Sequence, residues 1–436
     1  MPKDKDTETN IIVLPDKVPV DNVLVDKESV DKEPVFFIES SVVPHTLERP
    51  SIDDFNVCWI NNVCDCDKAV DLLCKESIIA LDLEADNMFH YKNQLCVIQV
   101  ATLDAVYLFD PIAISSGKCF QPLLGESGPV KLIHDAAFDV RLLYDYGVTP
   151  GNIFDTCLAS KFLGEQAVGL STLLLKYFGV KLNKEFQCID WSLRPLNEKK
   201  MQYLVCDVIY LMNLYTFLSA AVADAEIEEE INEELHYISL CAEDDLKEKN
   251  LPLWAKIKGW KRLKRKQLNV LKVIAEIRDV AAAKKDLPPS RIIKNKTMIS
   301  IAKKIPDDLK SLKKIDRFNS SGRQILQLLL DVIIECKTSE FLTSEDLIVF
   351  NEAQRPRQTK TEATRTKGLK KYLKVYRDEQ AKERDVDAQV VIPGHCLKEI
   401  CHSKPCNLEE LAVVRGFGEK RLKLYGNEIL EIVQND

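Results

Sequence analysis

The stretch Ser77–Asp86, S-I-I-A-L-D-L-E-A-D, decides how the rest of the chain is read. Ile78, Ile79, Ala80 and Leu81 make a short apolar run behind the polar pair Lys75 and Glu76, the pattern of a buried strand. Side chains two apart on a strand share a face, so Asp82 and Glu84 point to the same side. Two carboxylates buried side by side repel one another and lose hydration, and a divalent cation between them is the usual solution. On this stretch alone the plainer reading, the polar end of a strand, stays open.

Working outward, the 436 residues are enough for two or three domains with real cores. A composition of 46% hydrophobic and 29% charged residues is that of an ordinary globular chain. No apolar run is expected to reach the roughly 18 residues that cross a bilayer, and the charged start M-P-K-D-K-D lacks the apolar segment of a signal peptide. The expectation is a cytoplasmic protein with no membrane partner. Its 14 cysteines, without a C-x-x-C framework, fit a reducing compartment. The net charge of -8 does not by itself favour a nucleic-acid partner, so the distribution of charge matters more than its sum.

Residues 1–50 repeat V-D-K, carry several prolines and show no periodicity, which predicts a disordered tail. From Phe55 onward, short apolar strands alternate with amphipathic helices. A helix is expected over Asp65–Cys74, strands at Ile78–Leu81, Leu95–Ala101, Ala105–Phe109 and Val130–His134, and a helix over Asp135–Tyr144 with Tyr146-Gly147 as its stop. Further helices follow at Cys157–Leu163, Leu170–Phe178 and Glu198–Phe217, closing a unit over 51–222. Strands in a meander and then alternating with helices predict a mixed sheet covered by helices.

Residues 223–250 are strongly acidic and read as a solvated helical linker. The sign then reverses: Lys256–Lys266 holds seven basic residues and no acidic one, with Trp254 and Trp260 among or beside them. Residues 251–335 and 369–436 read as two all-helical units separated by a mobile linker over 336–368. Each has a long first helix, a proline-containing break and shorter helices, the plan of a divergent duplication.

The chemistry is carried by acids from separate segments. I-H-D-A-A-F-D places His134 at a strand end and Asp139 on the following helix, and Tyr203 and Asp207 lie four apart on one helix face. The succession D-x-E, H-x(4)-D and Y-x(3)-D resembles the tyrosine branch of the DEDD superfamily of 3'-5' exonucleases. D-W-S-L-R-P-L at Asp190–Leu196, just ahead of Tyr203, is similar to the ribonuclease D family within it. The helical units, the first with its K-D-L-P-P-S-R-I-I-K break, resemble HRDC domains.

That resemblance implies a ribonuclease H-like exonuclease domain followed by two all-α HRDC domains. It implies catalytic Asp82, Glu84, Asp139, Tyr203 and Asp207, with the four acids holding two divalent ions, Mg2+ or Mn2+, and Tyr203 orienting the attacking water. The expected partner is RNA with a free single-stranded 3' end, such as a tRNA precursor, met by a monomeric enzyme. His134, Lys258, Lys261, Arg262, Lys264 and Arg265 are candidate nucleic-acid contacts, with Trp254 and Trp260 as core residues on the first helix of their unit or, as the weaker reading, stacking platforms. A DNA exonuclease of the same superfamily and a non-catalytic RNA-binding protein on the same scaffold are the competing readings. All four acids and Tyr203 being present speaks against the latter. His395, Cys396, Cys401, His402 and Cys406 are metal-ligand types, but their spacing fits no zinc finger.

Overall fold

Six strands build one sheet: β1 (Asn56–Ile60), β2 (Ile78–Asp86), β3 (Gln94–Ala101), β4 (Ala105–Phe109), β5 (Val130–Ile133) and β6 (Ile153–Asp155). Their order is β1-β4-β3-β2-β5-β6. The β2-β3-β4 meander is antiparallel, while β1 on β4, β5 on β2 and β6 on β5 are parallel. The computed structural model describes residues 50–86, 88–248, 250–316, 318–353 and 360–435. The expected tail over 1–50 lies almost wholly outside them, as do residues 354–359 of the linker expected over 336–368.

The mixed sheet covered by helices is the architecture expected. Period two sorts β2 between two cores. Ile79, Leu81 and Leu83 join the core beneath the helices Val63–Leu73 and Ala136–Tyr146. Ala80, on the opposite face with Asp82 and Glu84, packs in a second core with Trp191, Leu204, Val205 and Val208. The acids of β2 therefore face the helix Glu198–Ile209 that carries Tyr203 and Asp207. Strands β1 and β6 were not anticipated. Both are edge strands, β6 is three residues long, and β1 is mostly half-exposed, so neither shows a clean pattern.

Two expectations are corrected here. The single helix over Glu198–Phe217 is two, Glu198–Ile209 and Leu211–Asp224, meeting at Tyr210. This run, Glu198–Asp224, is also long and apolar enough to span a membrane, with a mean hydropathy of 1.6. Its apolarity has a local cause: Leu204, Val205 and Val208 pack on the sheet, while Leu214, Phe217 and Leu218 pack with Phe162, Leu173 and Leu174. The acidic segment is likewise not a merely solvated linker. Its helix, Glu228–Glu248, lies on the helix Ala136–Tyr146 and buries Glu230 and Ile231. Glu230 pairs with Arg384 and Lys420, Glu233 with Arg421, and Asp244 with Arg415, so the charge run docks the second helical unit.

The helical units have separate cores. In the first, Arg265–Lys285 leads into the turn at Pro288-Pro289 and the helices Asn295–Lys304 and Leu326–Glu335. In the second, Lys360–Glu383 leads into the break at Pro393 and the helices Gly394–Ser403 and Glu419–Gln434. Residues 341–353, expected in a linker, fold back on the first unit: Phe341, Leu342, Val349 and Phe350 pack against its core.

Asp346 fixes this return. Its carboxylate accepts from the Trp254 indole at 2.7 Å and the Thr343 amide at 2.9 Å, and pairs with Lys272 Nζ at 2.9 Å. Burial alone would lift its pKa, but these donors outweigh burial and hold it at about 2. A folded pKa below the unfolded value of about 3.9 adds stability above that pH, lost as the pH falls through about 2. Asp346→Asn, which turns an amide toward donors, is expected to cost about 2–4 kcal/mol. Its denaturation midpoint should lose much of the wild-type dependence on acid below pH 4. An unchanged midpoint would contradict this role.

Candidate active site

Strand β2 ends beside the helix Glu198–Ile209, and there the acids from separate segments meet. Carboxylate oxygens of Asp82, Glu84 and Asp207 all lie within 4.8 Å of one another. Asp139, only 5% exposed, comes from the first turn of the helix Ala136–Tyr146. It stands close enough to this trio that Asp82 raises its pKa and it raises that of Glu84.

Asp155, a residue the sequence reading did not single out, positions that turn. Its carboxylate accepts from the amides of Asp135 and Ala136 and from those of Cys157 and Leu158, joining two helix starts at the end of β6. The signal for it, an aspartate just before a helical pattern, is too common to mark a site. Gln99 supports Asp82 from the neighbouring strand. It lies directly opposite in register, and with its amide nitrogen turned inward it donates to Asp82 Oδ2 at 3.2 Å and to the Leu204 carbonyl at 3.0 Å.

Burial is the first cause of the site's electrostatics, and mutual repulsion the second. Asp82 is pushed up to about 7 by burial, and Asp207 to about 8 by burial and by Asp82. Glu84 rises to about 10, through burial and then Asp82, Asp207 and Asp139. No lysine or arginine is a leading influence on any of these four groups. Four converging carboxylates short of positive charge are a donor set made for hard divalent cations, which take oxygen ligands. The residues present fit such ions.

Tyr203 stands one turn from Asp207 on the same helix, and its phenol pKa is raised by burial and then by Asp207, Glu84 and Asp82. It is thus a neutral hydroxyl at neutral pH. Two rings hold it: Trp191 at a centroid distance of 5.8 Å and Phe186 edge-on at 5.7 Å. The D-W-S-L-R-P-L segment acquires a physical reading from this. Trp191 is buried against Tyr203. Arg194 bonds both Asp110 oxygens, at 2.8 and 2.9 Å, and the Cys96 carbonyl at 2.7 Å, tying the segment to the sheet.

The expected nucleic-acid contacts are not gathered here. His134 is half-buried and turned inward, with Nδ1 2.9 Å from Thr156 Oγ1, and burial lowers its pKa to about 4. Lys258, Lys261, Arg262, Lys264 and Arg265 are exposed, and Arg265 is bonded by both nitrogens to Glu340. Trp254 and Trp260 are not stacking platforms. They are buried edge to face at 4.7 Å in the first helical core, because the basic residues around them take the solvent side. Cys396 and Cys401 are core residues, and His395 stacks on Tyr237 at 3.6 Å. These two cysteines and the histidine belong to no metal-binding group among the described residues.

Comparison with known proteins agrees with this arrangement. Residues 58–223 match the 3'-5' exonuclease family, and residues 267–330 and 367–433 match the HRDC domain. Ribonuclease D of Bartonella henselae is 30% identical over 265 residues, covering 60% of this chain and 64% of that protein, so the match spans a little under two thirds of its length. Ribonuclease D of Sphingobium indicum is 25% identical over 376 residues, covering 83% of this chain and 90% of that protein. The crystal structure of Escherichia coli RNase D, an exoribonuclease involved in structured RNA processing, shares the fold. It superposes with a TM-score of 0.65 at 19% identity, over 87% of this chain and 99% of that one.

Proposed function

For a chain whose residues 58–223 belong to the 3'-5' exonuclease family and whose two helical units are HRDC domains, we propose metal-dependent 3'-5' exoribonuclease activity. The substrate is RNA with a free single-stranded 3' end, in structured precursors such as tRNA. The observation that carries this reading is the convergence of Asp82, Glu84 and Asp207 on one point, with Asp139 beside them.

Hydrolysis of a phosphodiester needs a water placed in line with the leaving 3' oxygen, and relief of the charge that gathers on both oxygens. Two divalent ions, Mg2+ or Mn2+, would supply both in this class of reaction. Asp82, Glu84, Asp139 and Asp207 are the residues that would hold them, with Asp82 at the centre of the group. Tyr203, a neutral hydroxyl fixed by Trp191 and Phe186, orients the attacking water. A phenol with an ordinary pKa of about 10 is protonated at neutral pH, so positioning is its task. Breaking the bond to the penultimate 3' oxygen releases a 5'-mononucleotide. The exposed Lys258, Lys261, Arg262 and Lys264 would meet the RNA backbone, an attraction that weakens with salt.

The test is degradation of matched RNA and DNA oligonucleotides labelled at the 5' or the 3' end. This reading expects a ladder from 5'-labelled RNA, immediate release of a single nucleotide from 3'-labelled RNA, and slower loss of DNA. A preference for DNA would favour the DNA exonuclease, and no degradation of either the non-catalytic scaffold.

A further inference from the structure

A second cluster of metal-ligand side chains lies just past the catalytic group. Asp86 ends β2, His90 follows in the next loop, and Asp190 opens the segment that holds Trp191 and Arg194. One ligand atom from each lies within 4.8 Å of the other two. His90 Nε2 is 3.4 Å from Asp86 Oδ2 and 3.4 Å from Asp190 Oδ2. Those separations are long for hydrogen bonds, but about 3.4 Å is what two ligands span across a tetrahedral ion with bonds of about 2.1 Å.

Two further features point the same way. Asp86 is only 1% exposed, and its Oδ2, on the side facing His90, has no hydrogen-bond partner. Its other oxygen is already used by the Phe89 amide. A buried carboxylate oxygen left in this state is costly unless something positive meets it. His90 Nδ1, meanwhile, is 2.6 Å from Asp286 Oδ2 at the end of the first long HRDC helix. A proton on Nδ1 donated to Asp286 leaves the lone pair on Nε2, facing Asp86 and Asp190, with the Ser192 hydroxyl oxygen 3.3 Å away and its own proton turned to Asp190 Oδ1. This is the carboxylate-histidine arrangement that orients metal-binding imidazoles. Asp190 Oδ1 is separately held by the Ser192 hydroxyl at 2.6 Å and amide at 2.9 Å, which aims Oδ2 at the same point.

We propose that Asp86, His90 and Asp190 form a second, structural site for one divalent transition-metal ion, distinct from the catalytic acids. Imidazole nitrogen with two carboxylates suits Zn2+, Mn2+ or Co2+ better than Mg2+. An ion there links the end of β2 to the segment that supports Tyr203, and through His90 and Asp286 to the first HRDC domain. Tyr91 strengthens the same junction, its amide donating to Asp286 at 3.1 Å and its hydroxyl to Asp279 at 2.7 Å.

The probe is Co2+, whose visible absorption reports tetrahedral coordination. The full-length protein carries Asp82→Asn and Asp207→Asn, so that the catalytic group is disabled. Equilibrium dialysis should find one Co2+ per chain with a tetrahedral spectrum. Adding His90→Gln or Asp190→Asn should abolish it, while Asp286→Asn, which spares the ligands, should weaken binding about 10- to 100-fold. Far-UV circular dichroism confirms that each variant is folded, and Asp190→Asn decides if His90→Gln is not. No tetrahedral Co2+ in the Asp82→Asn, Asp207→Asn protein, or binding that survives both His90→Gln and Asp190→Asn, would overturn the assignment.

Discussion

Asp82→Asn is expected to reduce turnover of single-stranded RNA by at least about 1,000-fold, a loss of about 4 kcal/mol of transition-state stabilisation. Asp82 sits on one of the two central strands, within reach of Glu84 and Asp207, and after burial its charge raises the pKa of Glu84, Asp139 and Asp207 alike. Asparagine keeps the shape and the bond from Gln99 but removes the charge at the centre of the donor set. Folding should not suffer, because neutralising one of four repelling buried carboxylates relieves strain in the metal-free protein. The variant should melt no lower than wild type without added cations, and should gain less from Mg2+ or Mn2+ than wild type does. A variant that still turns over RNA within about tenfold of wild type, an effect of 1.4 kcal/mol or less, would remove Asp82 from the centre of the site.

Tyr203→Phe separates positioning from ion binding. Phenylalanine preserves the contacts with Trp191 and Phe186 and loses only the hydroxyl beside Asp207. Turnover should fall about 100- to 10,000-fold, the range for removing a group that places or moves a proton. Mn2+ binding, read by calorimetry, should change little, because the ligating oxygens are untouched. Wild-type turnover in Tyr203→Phe would make the hydroxyl dispensable. Loss of Mn2+ binding would make it part of the ion site instead.

How far the sequence reached depends on which forces write a local pattern. The β2-β3-β4 meander was legible because each strand carries a run of consecutive, mostly buried apolar residues, and Ala105–Phe109 has the expected bounds. The acids were legible as a set because motif order survives even where each residue alone is unremarkable. Edge strands β1 and β6 were not, being too short or too exposed to show a period. The acidic helix misled for another reason. Glu230 and Glu233 look solvated until the chain returns, more than 150 residues later, with Arg384 and Arg421. No window of sequence contains that pairing. Asp155 and Gln99, supports of the site, escaped for the same reason, as did the contacts that Arg194 makes from within D-W-S-L-R-P-L, since each acts across distant segments.

The account rests on carboxylates gathered to hold cations that drive hydrolysis from a 3' end. Its most direct test is to follow 5'-labelled RNA with an overhanging 3' strand, first with the protein stripped by chelator and then after Mg2+ or Mn2+ is restored. The expected result is intact RNA in chelator and, once the ion returns, a ladder shortening one nucleotide at a time with release of 5'-mononucleotides. Equal degradation in chelator, or internal cuts in place of a ladder, would contradict it.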